Sequence, residues 1–197
     1  MNYLAHAYLS FGNNEILIGN MISDFVKGKT KFSFPLNIQK GIFLHRAIDS
    51  FTDIHPVTKH AKQVFKPVTG HYAGVFTDIV YDHFLATDEK EFPSKALENF
   101  AEKTYEILNS YTVLLPAKFN RMLSFMSSQN WLLNYRFTKG IENSFAGIFT
   151  RAKYLEKNNN VFDCFIKNYD TLYNCYQQFF PEVKEFAFAE YSTLIQG

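Results

Sequence analysis

The chain has 197 residues, 47% of them hydrophobic and 18% aromatic, with 22 Phe and 12 Tyr, which excludes a disordered or linker-rich polypeptide and supplies the core of one domain over residues 1–197. A formal net charge of +1 gives no global case for nucleic acid as a partner. No apolar run reaches the roughly 18 residues of a membrane span, so no membrane association is expected.

The periodicity is helical nearly throughout, which predicts an all-α fold, a single-domain helical bundle. Asn2 to Leu9 reads as a first helix, and Asn13, Asn14 and Glu15 supply the cap and acidic first turn of a second, running to Val26. Lys27-Gly28-Lys29-Thr30-Lys31 then forms a basic loop ending at Pro35. A third helix spans Leu36 to Phe51 and stops before Pro56. A fourth runs from Val57 to Phe65, ended by Pro67 and Gly70, and a fifth covers 71–86. Pro93 opens an acidic helix to Tyr111 and Pro116 another to Ser128. Thr138 to Lys157 is a further helix and Asn158-Asn159-Asn160 a loop. After it, Phe162, Phe165, Tyr169, Leu172, Tyr173, Tyr176, Phe179 and Phe180 recur at helical spacing and predict one buried aromatic face. Cys164 and Cys175 fall in that same helix, roughly 16 Å apart, too far for a disulfide. Two unpaired thiols and the lack of a signal-peptide pattern point to the cytoplasm.

All six histidines lie between His6 and His83, and five of the eight aspartates, Asp24, Asp49, Asp53, Asp78 and Asp82, share that segment. Imidazoles and carboxylates on several helices are what a divalent metal site in a helical protein requires. His45 and Asp49 are four apart, as are Asp78 and Asp82, so each pair projects from one face of its helix. His83 lies about 100° further round from Asp82, and spacing does not choose between them. Asp24 sits in the apolar run Ile16 to Val26, where burial would demand a metal, an arginine or a cap as partner. Gly28-Lys29-Thr30 imitates the end of a phosphate-binding loop, but that motif needs a glycine where Ser23 stands and a strand before it. Neither a nucleophile elbow nor a Cys-x-x-Cys zinc pattern is present.

Four ordered blocks carry a resemblance. Asn2-Tyr3-Leu4-Ala5-His6, Gly19-Asn20-Met21-Ile22-Ser23-Asp24-Phe25-Val26-Lys27-Gly28, Gly41-Ile42-Phe43-Leu44-His45-Arg46-Ala47-Ile48-Asp49-Ser50-Phe51-Thr52-Asp53 and Tyr81-Asp82-His83-Phe84-Leu85 together resemble the acyl carrier protein phosphodiesterase family. The resemblance implies an HD-domain-like, manganese-preferring hydrolase that removes 4'-phosphopantetheine from holo-acyl carrier protein. The adjacent pair Asp82-His83 has the reverse of the HD order, so the HD kinship is one of fold. Carried onto this chain, the implied metal ligands are His6, Asp24, His45, Asp49, Asp78, Asp82 and His83, with Mn2+ the expected ion and Mg2+ or Fe2+ its substitutes. Asp24 and His45 would serve catalysis, and Arg46 would hold the phosphate. Acyl carrier proteins are acidic, so Lys27, Lys29, Lys31, Lys59 and Lys62 would dock the carrier by charge. Two other readings fit the same residues: a phosphohydrolase acting on a nucleotide or small phosphodiester, and a non-catalytic helical module whose histidines are core groups.

Overall fold

Every regular element of the computed structural model is helical among the residues it describes, 1–152, 155 and 160–196. In order these are α1 (Tyr3–Tyr8), α2 (Asn14–Ile22), α3 (Leu36–Ile54), α4 (Pro56–Thr69), α5 (Ala73–Thr87), α6 (Ala96–Ser110), α7 (Ala117–Ser128), α8 (Trp131–Asn134), α9 (Thr138–Arg151), α10 (Asn160–Lys167) and α11 (Tyr169–Gln196). Asn13 caps α2 through Ile16 N–H at 3.2 Å, as its position predicts.

Several boundaries differ from the sequence reading, each for a local reason. The second helix stops at Ile22, four residues before Val26, and a 3₁₀ turn, Ser23–Phe25, takes over. The basic loop contains another such turn, Gly28–Ser33. Pro67 does not end α4: it removes a single donor near the helix end, and the chain turns away at Gly70, whose φ of 55° only glycine adopts freely. Pro93 lies in a turn rather than at a helix start, because Ser94 takes a left-handed φ of 51° and delays α6 to Ala96. The helix expected to reach Lys157 ends at Arg151, where Ala152 turns extended. Residues 153, 154 and 156–159, with most of the expected Asn158-Asn159-Asn160 loop, lie outside the described residues; Asn160 itself begins α10. The aromatic C-terminal helix is two helices, broken at Asn168, whose side-chain amide donates to Cys164 O at 2.8 Å. Cys164 and Cys175 therefore sit on different helices; both are free, Cys164 half-buried and Cys175 buried.

The core forms where α11 lies over α3, α4 and α5. Phe179 stacks on Tyr81 with ring centroids 5.0 Å apart, and Phe165, Leu172, Tyr176 and Phe180 are buried alongside, while Tyr173 is 38% exposed. Burying these rings is the largest favourable term available to such a fold.

On the opposite side of α3 the contact is with α2, and there it is backbone against backbone. A Cβ on Gly19 would stand 2.0 Å from Ile38 O, and one on Gly41 would stand 2.3 Å from Ile16 O. Only two glycines allow this crossing.

α1 has six residues, too few to persist alone, and its own N-cap residue, Asn2, makes no side-chain cap. The cap comes from α5 instead. Fully buried Asp82 accepts from the N–H groups of Leu4 at 2.7 Å, Ala5 at 3.2 Å and Asn2 at 3.4 Å, which satisfies the orphan donors of the first turn.

Gly19→Ala should destabilise the fold by about 1–3 kcal/mol, because a backbone oxygen cannot retreat as a side chain can. In α5, a Cβ on Gly74 would meet only the Lys62 side chain, at 3.5 Å, so Gly74→Ala should be neutral or stabilising by ~0.5–1 kcal/mol. Urea midpoints of the two variants test the contrast; equal midpoints would show that the α2–α3 crossing tolerates a methyl group.

Candidate metal centre

α3 presents His45 and Asp49 one turn apart, and α1 brings His6 against them. The two imidazole rings stack with centroids 3.9 Å apart and planes within 17°. Asp49 Oδ1 lies 3.2 Å from His6 Nε2, and Asp49 Oδ2 lies 3.0 Å from His45 Nε2. The ligand atoms of these three residues all fall within 4.8 Å of one another.

One asparagine, Asn20 at the end of α2, sets both tautomers. Its Nδ2 donates to His6 O at 2.8 Å and Ser10 Oγ at 3.1 Å, so its Oδ1 is the acceptor that faces His6 Nδ1 at 2.8 Å. Its main-chain carbonyl, one of the last four of α2 and free of a helical partner, accepts from His45 Nδ1 at 2.8 Å. Both rings therefore carry hydrogen on Nδ1 and turn Nε2 toward Asp49. Both Nε2 atoms are buried, and neither meets the geometry of a hydrogen bond despite the nearby carboxylates. Two orphaned imidazole nitrogens beside a carboxylate, each oriented through its other nitrogen, fit a divalent ion.

The electrostatics of the metal-free protein follow from the same geometry. Burial pushes His6 down to about 4, with the charge of His45 adding to the shift. Burial also opposes the charge on His45, but the carboxylates of Asp24 and Asp49, 3.3 and 3.0 Å from Nε2, overrule it and raise the ring to about 9. Burial alone would raise Asp49; His45 and His6 instead hold it far below the usual carboxylate range. Asp24 is lowered chiefly by the His45 ring beside it.

The other predicted residues find different places. Asp24 is not buried: the helix ends before it, and its side chain is 68% exposed on the 3₁₀ turn, with Oδ1 3.3 Å from His45 Nε2. It forms the open edge of the centre. Asp78 reaches the centre only through the Met1 α-amino nitrogen, which is 3.1 Å from Asp78 and 3.6 Å from Asp49. Asp82 is taken up by the α1 cap, where burial raises its carboxyl to about 7 against the pull of Leu4 N–H. His83 has both ring nitrogens engaged, Nδ1 with Tyr135 O at 2.7 Å and Nε2 with the Tyr169 hydroxyl at 2.9 Å. The structure thus brings together His6, His45, Asp49 and Asp24, and gives Asp82 and His83 other partners. Arg46 donates to Val26 O at 3.0 Å, securing the strand of chain that follows Asp24. Lys27 and Lys29 are exposed beside that turn, Lys31 is half-buried, Lys59 is exposed on α4, and Lys62 pairs with Asp53 at 2.7 Å. Asn20 was not among the predicted site residues; its signal was a lone amide inside the apolar run from Ile16 to Ile22.

Fold and site together define an α-helical protein with a candidate histidine–carboxylate metal centre. More narrowly, the chain belongs to the acyl carrier protein phosphodiesterase family, whose model matches residues 1–183. Among its relatives, an acyl carrier protein phosphodiesterase from Enterobacter sp. (strain 638) is 30% identical over 184 residues, covering 93% of this chain and 95% of the relative. A protein of the same description from Escherichia coli (strain K12 / DH10B) shows the same identity and coverage. No solved structure matches the chain.

The charge on His45 makes stability depend on pH. Because the folded ring titrates near 9 and the free one near 6.5, its stabilisation is complete below about pH 6.5 and is lost as pH rises through about 9. The melting temperature of chelated protein should fall over that interval. An excess of a divalent metal that binds here should abolish or reverse the fall, since ligation would take the place of the Nε2 proton. Thermal melts across this range, with and without metal, check both statements; a flat metal-free profile would rule out the charged ring.

Proposed function

We propose that this protein is a divalent-metal-dependent phosphodiesterase that hydrolyses the bond between 4'-phosphopantetheine and the serine of holo-acyl carrier protein, releasing the apo-carrier and free 4'-phosphopantetheine. The observation that carries the reading is the pair of buried, unpartnered Nε2 atoms of His6 and His45 against Asp49, in a chain of this family. We assign Mn2+ as the ion, with Mg2+ and Fe2+ as its substitutes. When bound, it would polarise the phosphoryl oxygens and activate water at neutral pH.

The chain's own residues do the positioning. His6 and His45 would hold the ion through Nε2, each kept in the right tautomer by Asn20, and Asp49 would supply a carboxylate beside both rings. Asp24 stands at the open edge, ionised and accessible, where it completes the donor set nearest the incoming diester. Asp78 lies beyond Asp49 and would support it. Arg46, next in sequence to His45, retains guanidinium N–H groups beyond the one bound to Val26 O, suited to a phosphate oxygen. In this reading Lys27, Lys29, Lys31, Lys59 and Lys62 draw in the acidic carrier.

A distant kinship to HD-domain phosphohydrolases belongs to the same reading. Its support is a helical histidine–aspartate centre, since the adjacent Asp82-His83 pair faces elsewhere. So does a single cytoplasmic domain over residues 1–197, supported by two free cysteines. Among the described residues no helix is long and apolar enough to cross a membrane.

Intact mass of holo-acyl carrier protein after incubation with the enzyme and Mn2+ should show loss of the phosphopantetheine mass, and a chelator should prevent it. Asp24→Ala should lower kcat/KM by about 10²-fold or more while leaving the melting temperature near that of the wild type, because an exposed side chain leaves no cavity. An unmodified carrier after incubation with metal-loaded wild-type enzyme would overturn the reading.

A further inference from the structure

We propose that the carrier protein docks on the face formed by the turn Gly28–Ser33 and the first half of α3, with Phe32 and Leu36 at its apolar centre and Lys27, Lys29, Lys31 and Lys40 at its rim. This rests on the carrier protein being the substrate, and it says where on the molecule the carrier sits.

The first observation is charge segregation. Between Asp24 and Asp49 the chain carries five basic residues, Lys27, Lys29, Lys31, Lys40 and Arg46, and no acidic one. Among the described residues the lysine ion pairs are those of Lys62, Lys139 and Lys184, so none of the four lysines of this face has a carboxylate partner. By contrast, Lys62 is already neutralised by Asp53, and it shares α4 with Lys59 rather than lying on this face.

The second observation is exposed carbon. Phe32 is 59% and Leu36 64% exposed, large apolar side chains left in water in the middle of the cationic stretch. Isolated exposed apolar residues need no explanation, but here the two are joined into one face. Lys31 Nζ lies 5.0 Å from the Phe32 ring centroid and 4.4 Å from that of Phe43, which ties the 3₁₀ turn to α3. Leu36, Lys40 and Phe43 follow at helical spacing along one side of α3. An apolar centre within a charged rim is the anatomy of a protein interface, and a rim of one sign selects a partner of the other.

The third observation is position. The face starts at Lys27, three residues after Asp24 at the open edge of the metal centre, and Arg46 fastens the residue before it to α3 through Val26 O. Leu36 lies nine residues before His45 on the same helix, about 14 Å along its axis. A standard interface covers about 800 Å² on each partner, a disc of roughly 16 Å radius. Leu36, Lys40 and Phe43 lie about half a turn round α3 from His45 and Asp49, so a carrier whose serine sits at the metal centre meets this face by following the chain from Asp24 round the helix, past Val26 at Arg46 and Lys31 at Phe43.

The test compares the wild type, the double variant Phe32→Ser/Leu36→Ser and the control Val113→Ser, which changes a residue 96% exposed in the α6–α7 connection. Three quantities are read: kcat and KM on holo-carrier with Mn2+, calorimetric Kd for apo-carrier, and turnover of bis(p-nitrophenyl) phosphate, a diester with no protein attached. The double variant should raise KM and Kd by about 10-fold or more, with kcat on the carrier, small-diester turnover and melting temperature unchanged. Val113→Ser should match the wild type throughout. Unchanged KM and Kd in the double variant, with carrier cleavage by the wild type intact, would overturn the docking face and leave the function standing. A wild type that turns over the small diester yet neither binds nor cleaves the carrier would remove the function and the docking face together.

Discussion

The closeness of α2 and α3 governs the rest of the molecule's chemistry. Gly19 and Gly41 let the two backbones touch, and each glycine lies just ahead of a residue that depends on the contact: Asn20 follows Gly19 directly, and His45 comes one turn after Gly41. Separated by an ordinary interhelical distance of 8–10 Å, the Asn20 carbonyl could not reach His45 Nδ1 at 2.8 Å. Without that bond the ring would be free to turn, and Nε2 would lose its fixed direction toward Asp49. A packing constraint thus becomes a tautomer constraint.

A second dependence runs through α1. Six residues of helix carry His6, and the orphan donors at their start are satisfied by a carboxylate from α5. Asn20 then fixes the His6 ring from the other side. The centre is held by buried polar groups, Asp82, Asn20 and the two imidazole Nδ1 atoms, whose partners come from elsewhere in the chain. Such arrangements tolerate little loss, since each removed partner leaves a desolvated group behind.

Much of this was legible in the residues, and the failures are instructive. Helical periodicity located the elements, and the crowding of histidine and aspartate before residue 84 marked the part of the chain where His6, Asp24, His45 and Asp49 meet. Spacing four along a helix correctly placed His45 with Asp49. The same rule placed Asp78 with Asp82, yet those two serve different neighbours, because the helical period says which residues share a face and not what that face meets. The partners of His83 were invisible for the same reason: Tyr135 and Tyr169 are 52 and 86 residues away. Asp24 was misread as buried because the apolar run suggested a longer helix; the break at Ile22 puts it outside. The division between α10 and α11 was hidden because the aromatic spacing continues through Asn168.

The Asp82 cap also has a consequence for synthesis. Of the four residues at the centre, His45 and Asp49 lie on α3 and Asp24 on the turn that follows α2, and α2 and α3 meet backbone to backbone. His6 is the first of the four to be made, but its helix acquires its cap only when residue 82 is available. In a growing chain the segments that carry Asp24, His45 and Asp49 are therefore complete while α1, made first, still lacks the carboxylate that caps it.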